Sequence, residues 1–187
     1  MKKLAVLFAA LICAAPAFAG DTGYVKLSLW GDIAVAAPNN IHNITGVDLG
    51  IGSKADTVDG IQFDFIYNDA HKVRGIKSAW FYNTADIVYG LQGALVSVNR
   101  QDMRGIQGGL VSINEGKMQG IHSGLVTWSK GEVIGLQYGF VNVANHLTGV
   151  QLGFVNYVSN IKGLQIGLLN IAKNGYLPAM IIVNGRF

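Results

Sequence analysis

A glycine followed by an aliphatic residue returns every 14 or 15 residues from Gly46 onward, and this period constrains the fold more than anything else in the chain. The anchors are Gly46, Gly60, Gly75, Gly90, Gly105, Gly120, Gly135, Gly149 and Gly163. The clearest copies read GLQYGFVN (135–142), GVQLGFVN (149–156) and GLQIGLLN (163–170). A period this short specifies stacked β units and names no reaction.

Positions are counted from each unit's glycine. Position +1 is aliphatic in every copy, from Val47 to Leu164, and +5 is large and apolar, from Ile51 through Phe140 to Leu168. The residue at −2 is apolar throughout, as in Val88, Met103 and Ile161. Position +4 is mostly small, +2 is glutamine in six copies, and +7 is short and polar, becoming asparagine at the end. The alternation is that of β-strands, with period 2 over short stretches. A glycine per unit would cost a helix about 1 kcal/mol each. Polar turn residues such as Asn114-Glu115-Gly116-Lys117 and Ser129-Lys130-Gly131-Glu132 fall between the apolar stretches. The fold class is all-β.

Two architectures use such a unit. In a β-solenoid one repeat is one coil, and equivalent residues stack about 4.8 Å apart in ladders. In an antiparallel meander or outer-membrane β-barrel of about eleven strands, one repeat is one strand and a tight turn. On one straight strand the −2, +1 and +5 residues cannot share a face. Corners at the glycine and at the +7 asparagine would resolve that conflict and favour the solenoid, since both residue types tolerate turn dihedrals. The expectation is then a core of −2, +1 and +5 residues. Gln62, Gln92, Gln107, Gln137, Gln151 and Gln165 would form an exposed ladder, and Asn142, Asn156 and Asn170 a corner ladder. The drift between 14 and 15 residues reads as a one-residue insertion at a corner.

Residues 1–19 have the form of a secretory signal peptide. Lys2 and Lys3 precede an apolar run, and Ala17-Phe18-Ala19 fits the cleavage pattern. Cys13 is the chain's single cysteine and lies inside that signal, so no disulfide is expected afterwards. The whole chain carries 14 basic and 11 acidic residues. Loss of Lys2 and Lys3 would leave it near neutral, without the basic clusters that nucleic acid requires. Residues 20–45 read as an N-terminal capping strand and loop, 46–175 as a nine-repeat β domain, and 176–187 as a closing strand ending in Phe187. A terminal aromatic also suits outer-membrane assembly. Export to the cell envelope, outer membrane or cell surface is the expected location.

Gly-Val-Gln-Leu-Gly-Phe-Val-Asn (149–156), Gly-Leu-Gln-Ile-Gly-Leu-Leu-Asn-Ile (163–171), the opening Lys26-Leu27-Ser28-Leu29-Trp30 and the closing Asn184-Gly185-Arg186-Phe187 together resemble a family of exported bacterial surface-repeat proteins. That resemblance spans nearly all of the chain after the signal. It implies export and a surface or envelope location, and it brings no catalytic residues. Lys77 and His122 depart from its glutamine position, and Asp64 from its small one.

The side chains suggest little chemistry. His42, His71, His122 and His146 match no metal spacing. No nucleophile elbow, phosphate loop or calcium loop occurs. Asp64 and Lys77 could form an ion pair between adjacent repeats, and His122 could continue the glutamine ladder. The expected function is a non-enzymatic structural, adhesive or binding role without a cofactor. Its partner would be a surface ligand or envelope component, or the outer membrane itself. A small membrane barrel or channel is the alternative.

Overall fold

The computed structural model describes residues 22–34 and 42–187. The expected signal peptide, Cys13 and residues 35–41 of the expected N-terminal strand and loop lie outside the described residues. The fold is an all-β solenoid. Its strands are β1 (Thr22–Trp30), β2 (Ile33–Ala34), β3 (Asn43–Ala79), β4 (Tyr82–Gly93), β5 (Val96–Asn99), β6 (Met103–Asn114), β7 (Met118–Leu152), β8 (Val155–Ala172) and β9 (Ala179–Arg186). Successive coils pair in parallel, each residue beside its equivalent 15 positions on, as in Gly75 with Gly90 and Gly90 with Gly105. Between β7 and β8 the offset is 14, as in Asn142 with Asn156 and Gly149 with Gly163. Among the described residues, antiparallel pairing occurs only at the two ends, β1 with β2 and β8 with β9. The antiparallel meander or barrel is therefore not the architecture.

Each coil has two sides. One contains −2 through +3, as in Val88 to Gly93 paired with Met103 to Gly108. The other contains +6 through +9, as in Val96 to Asn99 paired with Val111 to Asn114. The chain bends between them at Ala94-Leu95 and Gly153-Phe154, positions +4 and +5, and again at Arg100-Gln101 and Glu115-Gly116. The corners thus lie at +4/+5 and +10/+11. Neither the glycine nor the +7 asparagine is a corner residue, which corrects the expectation above.

The repeat glycine sits inside the first side, and its register runs unbroken through it. Its φ lies between +129° and +148° in all nine copies, a region closed to L side chains. Stacking closes it a second time. A Cβ on Gly120 would stand 2.1 Å from the carbonyl oxygen of Gly105. The small +4 residue has a related cause, since a Cβ on Gly153 would lie 2.3 Å from the Gly139 carbonyl.

The unit-length drift follows the corners. In the coil of Gly120, three residues (Lys130, Gly131, Glu132) separate buried Ser129 from buried Val133. In the coil of Gly135, two (Asn145, His146) separate buried Ala144 from buried Leu147. In the coils of Gly60 and Gly75 the extra residue is at the other corner, so the buried asparagines are Asn68 and Asn83, at +8.

The core reverses most of the expected assignment. All nine −2 residues are buried, facing a column that includes Ala55, Ala70, Ala85, Ala144, Val158 and Ala172. The +1 and +5 residues point outward, with Leu110 54% and Phe140 51% exposed. The six glutamines expected outside are inside, with Gln137 fully buried. The cause is parity. Because the register passes straight through the glycine, −2 and +2 share the inner face, and +1 must take the outer one. Position +5 stands on the corner itself.

Candidate functional site

The interior carries amide ladders. Gln165 Nε2 donates to Gln151 Oε1 at 2.7 Å, and Gln151 Nε2 to Gln137 Oε1 at 2.8 Å. Asn142 Nδ2 donates to Asn156 Oδ1 and Asn156 Nδ2 to Asn170 Oδ1, each at 2.8 Å. Each amide also reaches the backbone: Gln137 donates to the Val143 carbonyl at 3.1 Å, and Asn156 to the Ile166 carbonyl at 2.9 Å. In these C-terminal coils, residues of one type supply both donor and acceptor to one another. That removes most of the cost of burying an amide. The ladders exist as stacks, but as internal supports. The glutamines are not exposed and the asparagines are not at a corner.

Among the described residues, charged side chains enter this interior only in the first coils. Lys26, Asp48, Asp64 and Lys77 are all buried. Asp48 is well supported. Its carboxylate accepts from Ser28 Oγ at 2.9 Å, from Gln62 Nε2 at 3.0 Å, and from Ser53 Oγ. Lys26 Nζ donates to the Lys54 carbonyl at 2.6 Å. Asp64 is less well supported: neither carboxylate oxygen has a well-placed donor, and only the Asn68 amide and the charges of Lys77 and Lys26 favour its ionised form. Burial, and then the neighbouring Asp48 carboxylate, push its pKa up to about 7. Burial likewise lowers Lys77 to about 7, against the pull of Asp69 and Asp64. Lys77 Nζ donates to the Thr84 carbonyl at 2.5 Å. The expected Asp64–Lys77 ion pair is not formed: Lys77, at +2, gives its ammonium to the Thr84 carbonyl of its own coil, while Asp64 stands at +4 of the coil before.

His122 continues the glutamine column. Its Nδ1 lies 3.0 Å from Ser129 Oγ and its Nε2 3.0 Å from Ser112 Oγ. Burial lowers its pKa to about 4, so it is a neutral polar spacer at ordinary pH. His71 is at a turn, 2.6 Å from Asp86, and His146 is exposed at another. Among the described residues, no group of three His, Cys, Asp or Glu side chains is placed to hold a metal.

The feature that hydropathy patterning missed is the outer surface. From each repeat glycine to its +7 residue, the only acidic, basic or imidazole side chains in the nine units are Asp48, Asp64, Lys77 and His122, and all four are buried. Every exposed charge of these units lies on the other half of the coil, from +8 to −1 of the next. There they pair across neighbouring coils: Arg100 with Asp86 at 2.9 Å, Lys130 with Glu115 at 2.5 Å, and Lys117 with Glu132 at 3.1 Å. The uncharged half is strongly apolar. At its crest the rings of Phe65 and Trp80 lie 5.5 Å apart, and those of Phe140 and Phe154 stack at 4.8 Å. The signal was available in the sequence as the absence of exposed charge between 0 and +7. It could not be used until Asp48, Asp64, Lys77 and His122 were known to point inward. Comparison with family models, with curated proteins and with solved structures returns no match.

Proposed function

We propose that this protein is a non-catalytic repeat rod of the cell envelope, exported by its N-terminal signal, and that it works by holding an apolar partner along one edge. The observation that carries this reading is the segregation of charge around the coil. Nine stacked units keep one half of the circumference free of exposed charge. At about 4.8 Å per coil, the resulting apolar band runs for about 40 Å. A monomer seldom shows an apolar patch beyond roughly 300–600 Å² unless it is a contact site. The interior supports the same reading. Among the described residues it is filled largely with amides that serve as internal supports. The resemblance to exported surface-repeat proteins agrees with the proposed location.

Fractionation of the producing cells tests this. The expected product begins at Gly20 by mass, sits in the envelope fraction, and is released by mild detergent. A product that keeps residues 1–19 and stays in the cytosol would refute the location. A protein that remains monodisperse and soluble without detergent at high concentration would refute the contact edge.

A further inference from the structure

The uncharged half of each coil is not flat. Its outward +1 and +3 residues belong to one side of the coil, +5 stands on the corner, and +6 belongs to the other side. The apolar surface is therefore a convex edge with two apolar flanks. Two such edges from two copies would meet only along a line, leaving the flanks wet. A deformable apolar medium covers crest and flanks together.

The margins of the edge are marked on both sides. At the −1 margin, the Arg104 guanidinium lies 5.5 Å from the centre of the Tyr89 ring. At the +8 margin, Lys130 lies 5.8 Å from the Trp128 ring and Lys173 5.9 Å from that of Tyr157. Aromatic rings with a polar tip beside long cationic side chains suit the zone between hydrocarbon and water. Beyond these margins come the paired charges of the +10/+11 turns.

We infer that the edge is a lipid-facing surface: the solenoid lies lengthwise on a bilayer, with the +4/+5 crest in the acyl region and the charged turns in water. This rests on the reading of the apolar edge as the contact face, and it names the partner. It is an interfacial placement of the kind amphipathic helices adopt, here built from parallel coils. The charged half contains both signs, so the attraction comes from apolar burial and does not require anionic lipid.

Flotation of the folded protein with phosphatidylcholine vesicles tests the inference. Two variants, one retaining only Trp80 (Trp30→Phe with Trp128→Phe) and one retaining only Trp128 (Trp30→Phe with Trp80→Phe), are read by fluorescence. The expected result is co-flotation, with Trp80 quenched several-fold more than Trp128 by lipid brominated deep in the acyl chain. Leu110→Glu with Leu125→Glu, both outward on the crest, should lower vesicle binding more than tenfold while the β-sheet circular dichroism persists. Arg104→Glu should change it less than twofold. Should the double variant fail to fold, the quenching contrast still decides. Equal quenching of the two tryptophans, or no flotation, overturns the lipid assignment. If flotation fails but the double variant abolishes a concentration-dependent dimer in sedimentation, the edge stands as a contact face and its occupant is a second copy. If neither vesicles nor dimer appear, the proposed function falls as well.

Discussion

The two ends of the lumen solve the same problem with unequal success. Toward the C-terminus, Gln137, Gln151 and Gln165 bond in series, and so do Asn142, Asn156 and Asn170. Toward the N-terminus the equivalent positions hold Asp48, Gln62, Lys77 and Gln92, and the +4 column is broken by Asp64. Among the described residues, eleven buried side-chain atoms lack a hydrogen-bond partner, and all but Gln165 Oε1 belong to residues from Gln62 to Asn114. Gln165 is the last member of its ladder, so its free oxygen is the expected end effect. Repetition at one register is not enough by itself. Gln92 and Gln107, Asn99 and Asn114, and Asn68 and Asn83 also stand side by side, yet their amides donate to backbone carbonyls and their oxygens stay unpaired. The serial amide bonds form only in the C-terminal coils.

The largest effect should come from what the two regions share. Gly149→Ala would place a Cβ 2.1 Å from the Gly135 carbonyl at a φ of +137°. It should cost about 3 kcal/mol or more, or prevent folding outright. Gly93→Ala is its control. The nearest atom to that Cβ is 3.9 Å away, and a denaturation midpoint should move by less than about 1 kcal/mol.

Next comes the ladder itself. Asn156→Ala removes the acceptor of Asn142 and the donor to Ile166 and Asn170. It should destabilise by about 2–4 kcal/mol. The matching Asn83→Ala loses two backbone contacts whose acceptor distances are 3.2 and 3.3 Å, and an oxygen that is already unpaired. It should cost about half as much. Equal losses in urea unfolding would break the contrast between the two regions.

The charged lumen should show itself in pH dependence. The folded pKa of Lys77 is lowered to about 7 from 10.5, so between these values the unfolded chain holds the extra proton. Stability should rise with pH across that window, by at most about 1.4 kcal/mol per unit. Asp64 is raised to about 7 from 3.8, so its contribution falls as pH climbs from about 4 to 7. Lys77→Gln, which restores the column's usual residue, should abolish the alkaline rise in melting temperature and leave the acid-side fall. A wild-type melting temperature that is flat from pH 7 to 10 would contradict the buried lysine.

A smaller effect is expected from His122→Gln. The folded pKa is about 4 against 6.5 unfolded, so the wild type should lose this histidine's contribution as pH falls from 6.5 to 4. In that range the loss opposes the gain from Asp64. The variant should be more stable than the wild type at pH 4.5 and differ little from it at pH 8, by thermal unfolding.

Much of this fold was legible in advance. The period, the all-β class, the coil, the buried −2 column and the one-residue insertions at corners could all be read from aligned copies. Recurrence of Gln and Asn at one position pointed to ladders, because identical amides at strand spacing are natural partners. Their direction was not legible. Large +1 and +5 residues looked like core by hydropathy, and glutamine looked like surface. The small +4 residue was the overlooked sign of the true corner.

The sequence by itself determined the spacing at which units must stack and the residues that form each column, since both follow from repetition along one chain. Only the tertiary structure decided which columns face inward. A buried amide needs a partner that only the folded coil supplies, a carbonyl across its own coil or an amide one coil away, and a corner shifted by a few residues exchanges the inner and outer faces. The repeat glycine depends on both levels. It marks the period in the sequence, and in the fold its missing Cβ leaves room for the carbonyl of the coil before it.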